Sequence, residues 1–249
     1  VRKQSMKQWN ASRAAAGLTL ESMPVLHVFI VIPVPEQEGM IPRTYDTLAS
    51  LGQQDHMAGQ LGLIEKANKR QTTLRAADGF GPASTVKSPL PEVVEHANQI
   101  VKQDAIKLES QFGIKVCTAM LNSCGSNGKS FDYREIYIHS KLLLVDDGFF
   151  TLGSANLNQR SMAVDSEINL ASNDVGHATA LRRQIWGQLA GKRNDGGNCT
   201  PGEIDETFKR WVALMKLNKD RQKSTSIEPC DKQMEGFIVP LDDGRSSII

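Results

Sequence analysis

The run IHSKLLLVDDGFFTLGSAN, Ile138 to Asn156, constrains the fold of this chain more than any other stretch. Two apolar segments flank Asp147-Gly148, a dipeptide suited to a two-residue hairpin turn, so the run is expected to fold back on itself as two antiparallel strands. With that loop Asp146 pairs with Phe149, Ser154 faces Lys141 and Asn156 faces His139. Strand side chains two apart share a face, and opposed ones sit roughly 5 Å apart at Cβ. Four polar groups are then expected on one patch at the open end of an otherwise apolar hairpin. Asp146 has the opposite parity and is assigned a structural role, as is Gly153.

The rest of the chain reads as alternating strands and helices. A helix over residues 1–17 ends at Gly17, and Leu26 to Val34, apolar without alternation, reads as a strand buried on both faces. Helices are expected over Tyr45 to Ala67, Pro91 to Phe112, Val175 to Leu189 and Ile204 to Lys216, with strands over Ile114 to Leu121 and Ser166 to Ala171. Residues 68–90 are polar, rich in Gly and Pro and without a period, which marks a long loop. SCGSNGKS, beginning at Ser123, reads as a turn-rich loop, and the tail after the last helix as irregular. This order favours an α/β layered fold. Residues 1–195 are assigned to a catalytic unit and 196–249 to a helix and irregular tail packed on it.

Composition narrows the function. Lys plus Arg total 29 against 28 Asp plus Glu, so the net charge of +1 gives no general attraction to a polyanion. No apolar run approaches the roughly 20 residues that span a bilayer, and the first residues do not form a signal peptide. Four cysteines, Cys117, Cys124, Cys199 and Cys230, show no CxxC spacing, so a structural zinc is not expected, while disulfides remain compatible with the count. Val1 is not an initiator Met, and helix-like sequence begins at once without a capping residue. The chain is expected to be the C-terminal piece of a longer one, with a trimmed chain as the alternative.

The polar patch suits attack on a phosphodiester. Lys141 offers a cation to a non-bridging oxygen, Asn156 offers amide donors, and Ser154 offers a hydroxyl or its backbone N–H. His139 can act as nucleophile or as general acid, because imidazole titrates near working pH. No carboxylate–histidine cluster of ligand spacing surrounds it, so neither a metal nor another cofactor is implied. One histidine cannot both attack phosphorus and protonate the leaving oxygen. The remaining histidines, His27, His56, His96 and His177, lack a lysine two residues on, and His27 sits in an apolar strand as a core residue would.

These residues resemble the signature of the phospholipase D superfamily: HxK, four residues, Asp, six residues, GSxN. Here it comprises His139, Lys141, Asp146, Gly153, Ser154 and Asn156, and the continuation LNQRSMAVDSEINL, Leu157 to Leu170, extends the likeness. The resemblance implies one half of an α-β-α sandwich, with a mixed central β-sheet flanked by helices. Two such motifs meet at one active site in this family. One histidine attacks phosphorus, forming a phosphohistidine, and the other protonates the leaving alcohol; the resemblance assigns the second role to His139. It gives phosphate binding to Lys141 and Asn156, and to Glu167 the acceptance of the ring N–H of His139. The chain carries one motif, so the other is expected from a missing N-terminal half or from a second subunit, and this chain alone should supply half a site.

The resemblance further implies a phospholipase D acting on membrane phospholipid as a peripheral protein. The RSM…DSE pattern and FKRWVALMKLN are similar to bacterial type VI secretion effectors, which implies secretion toward a target membrane and an immunity or secretion-apparatus partner. Nucleic acid is not the expected partner. A nuclease built as a one-motif homodimer is the alternative; it needs a basic groove, for which Lys66, Lys69, Arg70 and Arg75 are the candidates. A phospholipid synthase working by transphosphatidylation is another, and a non-catalytic scaffold that has kept the fold a third.

Overall fold

The computed structural model describes residues 1–19, 21–35, 41–60, 62, 103–126, 128, 130–156, 161, 165–225 and 228–242. The expected loop at 68–90, residues 91–102 of the helix expected over Pro91 to Phe112, the basic residues Lys66, Lys69, Arg70 and Arg75, and His96 lie outside the described residues. The elements are α1 (Arg2–Ala15), β1 (Leu26–Val31), α2 (Ile41–Ser50), α3 (Ala105–Phe112), β2 (Ile114–Ser126), β3 (Phe131–Ile136), β4 (Lys141–Val145), β5 (Phe149–Gly153), β6 (Asn169–Ser172), α4 (Val175–Ala190), α5 (Pro201–Lys223) and β7 (Ile238–Pro240).

The architecture is mixed α/β. One sheet has the order β1-β2-β3, with β7 also pairing β2; a second has the order β4-β5-β6. β2 is antiparallel to β3 and to β7. Leu26 N–H donates to Gly113 O and Ile32 N–H to Ala119 O, at 2.8 and 3.0 Å. The sequence offset is the same at both points, the mark of a parallel pair, so the first sheet is mixed.

The chain divides into two compact units, residues 1–28, 34–116 and 241–249 in one and 29–33 and 117–240 in the other. In the first, Arg2 Nε donates to Phe112 O at 3.0 Å and so ties α1 to the end of α3. Tyr45, Leu48, Ala49 and Met57 are buried. The continuous helix expected over Tyr45 to Ala67 is not formed. α2 begins earlier and stops at Ser50, and Gly52 takes a left-handed φ of +70°, where an added Cβ would meet the backbone N of Ala105 at 2.8 Å. Of the helix expected from Pro91 to Phe112, the described part begins at Ala105. Asp104 is extended and caps α3, its carboxylate accepting from Ile106 N–H at 2.8 Å and Lys107 N–H at 3.3 Å.

In the second unit, alternate residues of β2, Cys117, Ala119 and Leu121, pack with Ile238 of β7 and with Trp211, Leu214 and Met215 of α5. Phe29 joins them, its ring 4.4 Å from Trp186 and 5.1 Å from Trp211, centroid to centroid. Burial pushes the Cys117 thiol up to about 12, which keeps it protonated and unreactive at neutral pH. Among the described residues Cys117, Cys124 and Cys199 carry free thiols.

Four expectations are corrected here. β1 is half-buried rather than buried on both faces, with Leu26 exposed. β2 does not stop at Leu121; it continues to Ser126 because β3 offers a ladder, with Cys124 opposite Tyr133 and Gly125 opposite Asp132. The tail is not wholly irregular. Asn218, fully buried on α5, donates to Glu235 O and Ile238 O at 2.9 Å each and accepts from Glu235 N–H at 3.1 Å, which seats β7 against β2. α5 itself outruns the expected Ile204 to Lys216. Thr200 and Glu203 form a capping box with Pro201 in the first turn, and the polar C-terminal half stays helical because Asn218 has buried acceptors to reach.

The second sheet is thinly covered. Leu143, Val145 and Phe149 on one face are 48%, 42% and 38% exposed, and Leu152 and Leu170, cross-strand partners on the other, 43% and 60%. No helix among the described residues is long and apolar enough to cross a membrane.

Trp211 is fully buried and its Nε1–H donates to Asn194 O at 3.1 Å. Replacing it with Ala should destabilise the fold by about 3–5 kcal/mol, measured by chemical denaturation; a loss under about 1 kcal/mol would show that the cluster with Phe29 and Trp186 does not hold the unit together.

Candidate functional site

The site begins where β3 hands over to β4. Ile136 and Ile138 turn inward onto the core cluster. The extended chain then sends Tyr137 and His139 to the other side. His139 is exposed. The Lys141 ammonium reaches back and donates to the carbonyl of His139 at 2.5 Å, which places its charge beside the histidine. The imidazole lies against Tyr137, the two rings 6.3 Å apart at their centroids and tilted by 24°.

The hairpin forms, in a register one residue away from the expected one. Val145 pairs with Phe149 and Lys141 with Gly153, leaving Asp146, Asp147 and Gly148 in the loop. Asp146 and Asp147 take φ of +48° and +53°, and Gly148 N–H donates to Val145 O at 2.9 Å. Two successive left-handed residues make a primed turn. Aspartate tolerates that conformation, so the turn closes on Asp-Asp and the glycine becomes an extra residue before β5. By this register Ser154 and Asn156 do not stand opposite Lys141 and His139.

Ser154 instead ties β5 to the approach of β6. Its hydroxyl accepts from Ile168 N–H at 3.0 Å and donates to Ile168 O at 3.4 Å. Asn156 donates from Nδ2 to Ser161 Oγ at 3.5 Å, and Ser161 is buried. Glu167 is half-buried one residue before Ile168. Gly153 has a plain reason to be glycine: a Cβ there would collide with the Asn169 side chain and with Ile168 O. The room left by the missing Cβ lets Asn169 Oδ1 accept from Ala155 N–H at 3.1 Å while its Nδ2 donates to Thr151 Oγ1 at 3.2 Å. Asn169 thereby splints the GSxN strand end to β6.

The sequence did not point to the strongest contact of the hairpin. Arg182, on α4 and 3% exposed, grips the turn: Nε and Nη2 donate to the two carboxylate oxygens of Asp147 at 2.6 and 2.7 Å. The same guanidinium also donates to Asp195 O and Gly197 O, in the loop leading to α5. The hydrogen bond from Arg182 holds the Asp147 carboxyl below its ordinary range. The structural carboxylate of the turn is thus Asp147; Asp146 contributes its backbone conformation and stays exposed. No spacing rule connects positions this far apart, and Arg182 reads in the sequence as one more charge on a surface helix.

Comparison with known proteins fits this site. The Phospholipase D family profile matches residues 121–206, which include the whole hairpin and Glu167. This segment is similar to the phospholipase D superfamily. Phospholipase D alpha 1 of Nicotiana tabacum is 45% identical over 120 residues, phospholipase D alpha 1 of Oryza sativa subsp. japonica 39% over 120, and phospholipase D alpha 2 of Arabidopsis thaliana 43% over 120. Each alignment covers 45% of this chain and 15% of the relative, so the chain spans a small part of the length of the proteins it matches.

Three variants test this hairpin. Arg182→Ala should cost about 3 kcal/mol, because it strands a half-buried carboxylate. Asp147 is more acidic in the folded chain than unfolded, so its contribution is complete above roughly pH 4 and is lost as the pH falls through the folded value. Asp147→Asn should flatten that acid-side loss in a series of denaturation curves; an unchanged pH dependence would show that the pair does not couple to folding. Gly153→Ala should destabilise by about 1–3 kcal/mol through the clash with Asn169, read as a lowered Tm, whereas an unshifted Tm would mean that β6 does not pass this close.

Proposed function

We propose that this chain supplies half of a phospholipase D active site, cleaving the head-group phosphodiester of membrane glycerophospholipids. The observation that carries the reading is the pairing of an exposed imidazole with an ammonium folded onto its own carbonyl, within a segment that matches the phospholipase D profile. The similarity to plant proteins named phospholipase D alpha supports the lipid as substrate.

The chemistry follows from one histidine per motif. An imidazole from a second motif, on another segment or a second subunit, attacks phosphorus. The P–O bond to the head group breaks, and His139, initially protonated, gives its N–H proton to the leaving oxygen. Water then attacks the phosphohistidine; His139 takes its proton, the P–N bond breaks, and phosphatidic acid leaves. Lys141 and Asn156 offer donors to the non-bridging oxygens, where charge builds in both steps. Ser154 serves by holding the strand end, its hydroxyl and its backbone N–H both being bound to Ile168. Glu167 would accept the other ring N–H of His139 and so orient the imidazole. Delivery as a type VI effector rests on the RSM…DSE and FKRWVALMKLN stretches; the matched relatives are plant proteins, so the reading adopted is the lipase chemistry.

The test is choline release from phosphatidylcholine vesicles by the assembly that carries both motifs, with a primary alcohol added. A phosphatidyl-alcohol product reports the phosphoenzyme. His139→Ala should lower turnover by about 10²–10⁴-fold with the far-UV CD spectrum unchanged. Full activity in that variant, or cleavage of DNA without cleavage of lipid, would overturn the proposal.

A further inference from the structure

His139 is exposed, and among the described residues the contact made by its imidazole is the Tyr137 ring. An exposed imidazole free to turn about two side-chain torsions aims its N–H poorly, and proton transfer requires alignment within hydrogen-bond reach. Tyr137 is 56% exposed, and among the described residues this stack is the contact its ring makes. Its position follows from the backbone. Ile136 and Ile138 are drawn into the core, which forces Tyr137 and His139 out side by side. The core thus fixes the tyrosine, and the tyrosine bounds the histidine ring on one face, while the Lys141 ammonium binds the His139 carbonyl.

We infer that Tyr137 is a positioning residue for the reaction: its ring is the platform that sets the direction of the His139 imidazole. This rests on the reading of His139 as the proton donor. A near-parallel offset pair at this separation lies within the range where ring contacts are favourable, worth about a three- to tenfold rate effect if lost. The phenol hydroxyl is not required; the flat face is. Phenylalanine should therefore replace tyrosine, and an aliphatic side chain should not.

Two measurements decide it. In the assembly carrying both motifs, Tyr137→Leu should lower kcat for phosphatidylcholine and phosphatidylglycerol alike by about three- to tenfold, with KM nearly constant, and Tyr137→Phe should restore it. An unchanged kcat, or a loss confined to one head group, would overturn the inference, the latter because it marks a substrate contact. Wild-type assembly without lipase activity would sink the proposed function instead. In that case the second measurement stands alone on this chain: the His139 ring-proton NMR signals, assigned by their loss in His139→Ala, should shift in Tyr137→Leu and return in Tyr137→Phe. Signals that do not move in Tyr137→Leu would show that the rings do not stack.

Discussion

The Arg182 guanidinium is the contact on which the site geometry depends. A hairpin of five-residue strands is marginal by itself. Here its tip is gripped by a buried cation that also holds the carbonyls of Asp195 and Gly197. One side chain therefore fixes the turn, the helix α4 and the start of the link to α5. A buried ion pair is costly to desolvate and is stable only when its hydrogen bonds are filled. Four donated bonds from Arg182 meet that condition. At the far end of the same hairpin Asn169 and Ser154 bind the GSxN segment to β6. The motif is thus clamped at both ends, and the residues between need only be apolar.

The parts of the fold legible in the sequence were those governed by local rules. The apolar runs gave the strands, Gly113 the end of α3, and the Asp-Gly signal the hairpin. The spacing of His139, Lys141, Asp146, Gly153, Ser154 and Asn156 carried the likeness to the superfamily whose profile matches this segment. What escaped was decided by tertiary partners. The turn moved by one residue because Asp146 and Asp147 could both take left-handed backbone, and the shift overturned the expected facing of Ser154 and Lys141. β2 outran its apolar core because β3 lay ready to pair with Asn122 to Ser126. The capping box of α5 was present in the sequence as Thr200 and Glu203, and should have moved the expected helix start back to Pro201.

Glycine 153 shows how a motif letter can record packing rather than chemistry. Nothing about hydrolysis requires a glycine there. The requirement comes from Asn169, whose side chain occupies the place of the missing Cβ and reaches the backbone of Ala155. Asp146, another motif letter, contributes a backbone angle. Among the six signature positions, the proposed phosphate contacts are left to His139, Lys141 and Asn156.

The three-stranded sheet β4-β5-β6 has a consequence for the behaviour of the isolated polypeptide. Its two outer strands have one ladder partner each, and leucine, valine and phenylalanine face water on both sides. Unpaired backbone edges beside oily faces are the surface on which chains add to one another. At high concentration the isolated chain should therefore be short-lived in solution, clumping through this sheet while the Trp211 core stays folded beneath it.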